Sequence, residues 1–250
     1  MRAVRLPAPG HRVEDAEVPM PSCGPGDVLV RVRAAGICHS DVHYRAGRSR
    51  VDPLPLTLGH EIAGEIVEVG QHAHHHSVGD SVCLHYLITC GQCDDCLAGR
   101  EQFCATGKML GHFTDGGWAE YIAVPARNAV PLPPSVPFEQ GAVMMCSSAT
   151  SLHALRKGRL KAGETVLVVG AGPAGLSAAI AAARAGASVV VLDERPQSGG
   201  QYFKPLAPSH QSAQPLDAQF AAGLQLTGNA LAQGVQILQE ATVWGADTPG

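Results

Sequence analysis

Residues 163–201, GETVLVVGAGPAGLSAAIAAARAGASVVVLDERPQSGGQ, constrain this chain more than any other stretch. Residues 166–169 are a short apolar run of the kind a buried parallel strand uses. Gly170, Gly172 and Gly175 then form G-x-G-x-x-G, and residues 176–185 are Ala-rich with high helix propensity. Gly186 stops that helix, residues 189–192 form a second apolar strand, and Asp193 and Glu194 stand at its end. Each part has a task in holding a dinucleotide. Gly170 allows a tight turn, Gly172 lets the backbone approach a pyrophosphate, and Gly175 lets helix and strand pack closely. The helix N-terminus offers unpaired N–H groups to phosphates, and the acidic pair is placed to bind ribose hydroxyls. The stretch leaves open which dinucleotide it holds.

Ahead of it lies a segment of different character. The run VLVRVRAAG after Asp27 alternates, with Val28, Val30 and Val32 on one face and Arg31 and Arg33 on the other, as in a half-buried strand. Residues 62–69, 81–84 and 120–124 are further short strands separated by Gly, Pro and Asp turns, which predicts a small β-barrel or sandwich. The chain has 250 residues, enough for two modest domains, and Gly 29 and Pro 18 suit a loop-rich β domain beside a nucleotide-binding one. A net charge of −4 without a basic face argues against nucleic acid as a partner. Neither a secretory h-region nor an apolar run long enough for a bilayer is visible, so a cytoplasmic protein without membrane contact is expected. Eight cysteines in such a setting point to metal or catalysis before disulfides.

The cysteine spacing is the sharpest chemical signal. Cys90, Cys93 and Cys96 form C-x-x-C-x-x-C, with Cys104 eight positions further on. Four thiols on one loop can close a tetrahedron around one zinc ion, leaving no position for water or substrate, which makes a structural site. A second constellation is dispersed: Gly36-Ile-Cys38-His39-Ser40-Asp41-Val-His43, Gly59-His60-Glu61, and Cys146-Ser-Ser-Ala-Thr150. A Cys₂His set leaves a fourth zinc position open for chemistry. Periodicity alone does not join these segments. His72, His74, His75 and His76 read as a solvated loop, because a His tract is only compositional evidence.

Residues 1–168 resemble the zinc-containing medium-chain alcohol dehydrogenase family, through the three segments above, the Cys90/Cys93/Cys96/Cys104 lobe, Gly79-Asp80 and Gly163-Glu164-Val166. The resemblance implies a GroES-like β-barrel catalytic domain over residues 1–150 with two zinc ions. Cys38, His60 and Cys146 would be the catalytic zinc ligands, with Glu61 a carboxylate near that metal. Ser40 and His43 would relay the substrate proton to solvent. His39 would face the cofactor phosphates and Thr150 the nicotinamide. Zinc is a Lewis acid that lowers the pKa of a bound water from about 15.7 to about 7, and an alcohol would feel the same pull.

From Gly170 the resemblance changes. Gly170-Ala-Gly172-Pro-Ala-Gly175-Leu, Val191-Leu-Asp193-Glu194-Arg-Pro and Gly199-Gly200-Gln201 resemble the flavin-dependent amino-acid and amine oxidoreductases, including opine oxidase and hydrogen cyanide synthase subunits. There the Gly199-Gly200 turn would lie against FAD, with Asp193 or Glu194 on its adenosine ribose. Residues 151–250 are therefore expected to form a Rossmann-type doubly wound dinucleotide-binding domain, incomplete relative to either family. Residues 202–215 read as a loop; Leu216, Phe220, Leu224, Thr227 and Leu231 recur at helical spacing up to Gly234; residues 235–244 hold one or two strands, and residues 247–250 a turn.

Three functions follow. The first is a zinc-dependent oxidoreductase passing hydride from an alcohol or polyol to NAD(P), the acidic pair favouring NAD because a 2′-phosphate would meet negative charge. The second is an FAD-dependent oxidoreductase fragment joined to a zinc-binding domain. The third is a catalytically inert truncated or hybrid chain. A homo-oligomer or a partner subunit is the expected macromolecular association, and a small-molecule alcohol the expected substrate.

Overall fold

A computed structural model describes residues 1–200 and 218–243. Contacts between Cα atoms divide the chain into Met1–Cys146 and Ser147–Gly250. The expected loop at 202–215, Leu216, Gln201 and the terminal turn at 247–250 lie outside the described residues, as does Trp244.

In the first unit, β1 (Arg2–Leu6), β2 (Glu14–Glu17), β3 (Asp27–Ala35), α1 (His39–Arg45), β4 (Leu56–Thr57), β5 (Ile62–Val69) and β6 (Ser81–Leu84) follow in order. Next come β7 (Leu87–Ile88), α2 (Asp94–Leu97), β8 (Lys108–Met109), β9 (Tyr121–Pro125), β10 (Ala129–Pro131) and α3 (Phe138–Val143). Five strands form an antiparallel sheet in the order β10-β6-β5-β3-β9, and β1 sits between β2 and β4 in a second sheet. A single bridge between Ala3 and Ala119 links β1 to the segment ahead of β9.

The expected alternation in β3 holds in part: Leu29, on the face of Arg31 and Arg33, is also buried, at 6% exposed. Val28 and Val30 are fully buried against Ile62, Ile66, Val82, Leu84, Ile122 and Val124, while Val32 packs at the margin. Each such aliphatic side chain contributes about 1.5–3 kcal/mol on burial. Two register shifts, between Leu29 and Val30 and between Val32 and Ala34, mark bulges in the β3–β5 pairing. Bulges bend and twist a strand, which is how a sheet of this kind curls.

In the second unit, α4 (Ala149–Lys157) precedes β11 (Thr165–Val169), α5 (Pro173–Arg184), β12 (Ser188–Leu192), α6 (Ala218–Ala232) and β13 (Gln236–Leu238). The three strands are parallel, in the order β11-β12-β13. Leu176, Ala179, Ile180 and Ala182 put one face of α5 against Val189 and Val191. The helix begins at Pro173, ahead of the expected residue 176, because proline at the first helical position suits a helix start.

The expectation that residues 166–169 are a buried strand needs correction. Val166 and Val168 pack inward, but Leu167 is 58% exposed and Val169 64% exposed. Among the described residues β11 pairs with β12 alone, which leaves one edge of the strand without a neighbour. The sheet is the partial Rossmann-type arrangement expected, following a barrel-like domain.

Candidate active site and metal centres

The thiol lobe projects from the β7–β8 pair. Cys90 follows β7, Cys93 precedes α2, Cys96 lies within it, and Cys104 closes the single helical turn Glu101–Phe103. Sγ of Cys90 is 3.9 Å from that of Cys96 and 3.7 Å from that of Cys104. All four sulfurs lie within 4.8 Å of one another. A tetrahedral ion with bonds of about 2.3 Å sets its sulfurs about 3.8 Å apart, so the donor set and its dimensions fit one zinc.

Local backbone geometry prepares the sulfurs for this. The Cys93 N–H donates to Cys90 Sγ, and the Cys90 N–H to Cys104 Sγ, each at 3.4 Å. Backbone N–H groups of Gln92 and Cys93 lower the pKa of the Cys90 thiol, and the Cys90 N–H with Thr106 brings that of Cys104 to about 6. The Cys96 N–H favours the Cys93 thiolate, but the adjoining Cys96 and Cys90 thiols outweigh it and push Cys93 to about 11. Mutual crowding of thiols is what a divalent cation relieves.

A second group gathers from three distant segments. Cys38 ends the turn after β3, His60 and Glu61 lie just ahead of β5, and Cys146 lies in a π-helical turn, Met144–Ser148, following α3. Their ligand atoms also fall within 4.8 Å of one another, and the Cys38 and Cys146 sulfurs are 3.9 Å apart. His60 is 1% exposed and Glu61 4%. The hydrogen bond with Cys146 brings the Cys38 thiol down to about 3, and the same contact, with burial, pushes Cys146 up. Burial would depress the His60 imidazole, but the Asp41 carboxylate and Cys38 outweigh it and hold it at about 10. Burial, then the Cys38 charge, raises Glu61 to about 7. His60 Nδ1 is buried without a hydrogen-bond partner, since Asp41 Oδ1, at 3.7 Å, is out of reach. Two sulfurs, an imidazole and a carboxyl around one point, with a buried orphan nitrogen, are a donor set suited to zinc.

Helix α1 carries Ser40 and His43, the two residues expected to relay a proton. Ser40 Oγ lies 3.7 Å from Cys38 Sγ, and His43 is one turn further along, its ring stacked on His39 at 4.7 Å. Ser40 and His43 are three residues apart, hence on one helix face. His39 is exposed, as is Thr150 on α4 in the second unit. His72, His74 and His75 are exposed, and His76 bonds the Ala126 carbonyl; the tract forms no ligand cluster among the described residues.

Two neighbours are given no role in the sequence analysis. Asp41, 2% exposed, accepts from the Cys38 N–H at 2.9 Å and the Gly59 N–H at 3.3 Å, fixing the two segments that carry Cys38 and His60. Its signal in the sequence is a carboxylate three residues after a helix N-cap, as in a capping box. Tyr86 stands edge-on to His60 at 5.8 Å, and burial, then the charges of Cys146 and Cys38, raises its phenol pKa. Nothing local in the sequence marks it.

In the second unit Gly170 has φ +98°, and a Cβ on Gly175 would collide with the Gly170 carbonyl, so both glycines are required sterically. Gly172 caps α5, and the Gly199-Gly200 turn lies against it: Gly199 N–H donates to Ala171 O at 2.8 Å, and a Cβ on Gly200 would fall 2.9 Å from Gly172 Cα. Asp193, 5% exposed, accepts from the Ala171 N–H at 2.5 Å and the Arg195 N–H at 2.9 Å. Its carboxylate ties the glycine loop to the end of β12, while Glu194 beside it is exposed.

The alcohol dehydrogenase GroES-like domain family matches residues 24–134, and the FAD dependent oxidoreductase family matches residues 165–227. An L-threonine 3-dehydrogenase of Symbiobacterium thermophilum is 41% identical over 197 residues, 76% of this chain and 55% of that protein. A crystal structure of an NAD-dependent alcohol dehydrogenase superposes with a TM-score of 0.77 at 28% identity, covering 96% of this chain and 63% of that one. The cobalt- and zinc-bound thermostable alcohol dehydrogenase of Pyrobaculum aerophilum gives 0.75 at 28% identity, covering 96% and 65%. The chain spans about half the length of the curated relatives it matches. Its front portion resembles the zinc-containing medium-chain alcohol dehydrogenases and carries their GroES-like domain, and from Thr165 it resembles the FAD-dependent oxidoreductases.

Proposed function

We propose that this chain is a zinc-dependent oxidoreductase of alcohol dehydrogenase type, passing hydride from an alcohol or polyol to NAD(P). The observation that carries the proposal is the convergence of Cys38, His60, Glu61 and Cys146 within 4.8 Å from three separate segments of a GroES-like domain. Cys38, His60 and Cys146 would hold a catalytic zinc, with Glu61 beside it, and Cys90, Cys93, Cys96 and Cys104 a structural one. When bound, zinc would supply Lewis acidity at a substrate hydroxyl. Ser40 would accept the proton leaving that hydroxyl and pass it along the α1 face to His43, towards solvent. Asp41 would keep Cys38 and His60 in register through the two backbone amides it accepts.

On the dinucleotide side, Gly170, Gly172 and Gly175 would admit the pyrophosphate at the start of α5, with His39 on the cofactor phosphates and Thr150 near the nicotinamide. Glu194, exposed at the end of β12, is the freer carboxylate for ribose, since Asp193 already accepts two backbone amides. A second reading, an FAD-binding second unit, is favoured by the family match over residues 165–227 and by the Gly199-Gly200 turn against Gly172. A cytoplasmic location and a homo-oligomer or partner subunit belong to the same proposal. No helix of the described residues is long and apolar enough to cross a membrane.

Metal analysis, the visible spectrum and an alcohol panel with NAD test these readings together. Two zinc ions per chain and no colour support the dehydrogenase, and flavin absorption the second reading. Absence of zinc from the intact, reduced chain would refute the dehydrogenase assignment.

A further inference from the structure

The turn Ala126–Asn128, between β9 and β10, ties the base of the thiol lobe to the barrel, and the Asn128 carbonyl accepts from the His85 N–H at 2.8 Å. The Asn128 amide, 2% exposed, donates to the carbonyls of His85 and Leu87 at 2.8 and 2.9 Å, anchoring the chain as it enters the lobe. Arg127 reaches further. Its Nη2 donates to Thr89 Oγ1 at 3.0 Å, and its Nη1 lies over Gly91, where a Cβ would collide with it. Thr89 in turn donates to Glu101 at 3.5 Å, at the start of the helical turn that leads into Cys104. The guanidinium thus touches the chain on either side of Cys90 and connects, through Thr89, to the turn before the fourth thiol.

The charges point the same way. Four thiolates around a divalent ion leave two negative charges uncompensated. Arg100, the arginine within the lobe, is taken up by Asp95 at 2.8 Å. Arg127 has no carboxylate partner among the described ion pairs, although its guanidinium is held against the Cys90-Gly91 turn. Gly91, at φ +72°, keeps that face of the turn open to it.

We propose that Arg127 is a positioning residue for the four-thiol metal site, holding the Cys90-Gly91 turn on the barrel and offsetting part of the charge of the metal–thiolate group. The inference rests on the lobe being a zinc site. Partners of this kind, one step removed from a metal, are typically worth 10–100-fold in metal affinity.

The test uses the zinc-loaded full chain and follows chelator-driven release of the zinc that Cys93→Ser eliminates. Arg127→Gln keeps bulk and a donor for Thr89 but no charge, whereas Arg127→Lys keeps charge. Arg127→Gln is expected to release that zinc about 10-fold faster, with Arg127→Lys recovering most of the loss. In the cobalt-substituted chain the thiolate charge-transfer band should move in Arg127→Gln and return in Arg127→Lys, which a purely mechanical role would not produce. Equal release and an unmoved band in Arg127→Gln would overturn the role of Arg127 while leaving the metal site intact. A wild-type chain that takes up no zinc at the lobe would overturn the metal reading itself, and this inference with it.

Discussion

Asp41 offers the most direct test of how the candidate active site is held together. Asp41→Ala removes the acceptor of two backbone amides, Cys38 N–H at 2.9 Å and Gly59 N–H at 3.3 Å, at a position 2% exposed. Leaving a buried donor unpaired costs about 1–3 kcal/mol, and the lost carboxylate in the first turn of α1 about 0.3–1 kcal/mol more. Taking the lower half of each range, because the Gly59 bond is long, gives a destabilisation of about 3 kcal/mol. With a urea slope of about 2 kcal/mol/M, the midpoint should fall by about 1.5 M. Trp118 reports on this unit directly, since its Nε1–H donates to Gly36 O at 3.1 Å and its ring faces Gly59. Urea unfolding of the metal-free chain, followed by Trp118 fluorescence in a Trp244→Phe background, isolates the signal, as the chain has only two tryptophans. Asp41→Asn keeps one carbonyl oxygen and should fall between wild type and Asp41→Ala. A midpoint within about 0.3 M of wild type for Asp41→Ala would show that neither amide depends on this carboxylate, and the argument would fail.

Other perturbations separate the remaining parts. Cys93→Ser should lower the zinc content of the purified chain from two ions to one and leave the Cys38–His60–Cys146 ion in place, read by metal analysis; loss of both would contradict independent sites. Gly175→Ala drives a Cβ into the Gly170 carbonyl, so it should destabilise the second unit by about 2 kcal/mol and abolish dinucleotide binding measured by calorimetry. Leu167→Lys, on the uncovered face of β11, should change stability by less than about 0.5 kcal/mol in this chain. A loss above about 1.5 kcal/mol would mean that face is covered in solution.

The clustering of the four thiols and the form of the glycine loop were legible because their logic is local. Four cysteines within fifteen positions must stay close whatever the rest of the chain does, and the order strand, G-x-G-x-x-G, helix, strand, acid fixes its own geometry over thirty residues. The alternation of β3 and the stop at Gly186 were readable for the same reason.

What needed the tertiary structure is whatever depends on segments meeting. Resemblance alone grouped Cys38, His60 and Cys146, which stand more than a hundred residues apart at the extremes; the antiparallel β3–β5 pairing and the turn after α3 bring them together. That the Asp41 carboxylate accepts from two backbone amides of separate segments is decided by the fold. Tyr86 and Arg127 acquire meaning only from ring and guanidinium contacts with residues far along the chain. That the Asp193 carboxylate braces the glycine loop through the Ala171 N–H is visible only in the fold. The exposure of Leu167 and Val169 is the plainest case. An apolar, β-branched run states a preference for burial, but burial takes a neighbouring strand and a covering layer, and those come from the topology of the sheet, not from the residues of the strand itself.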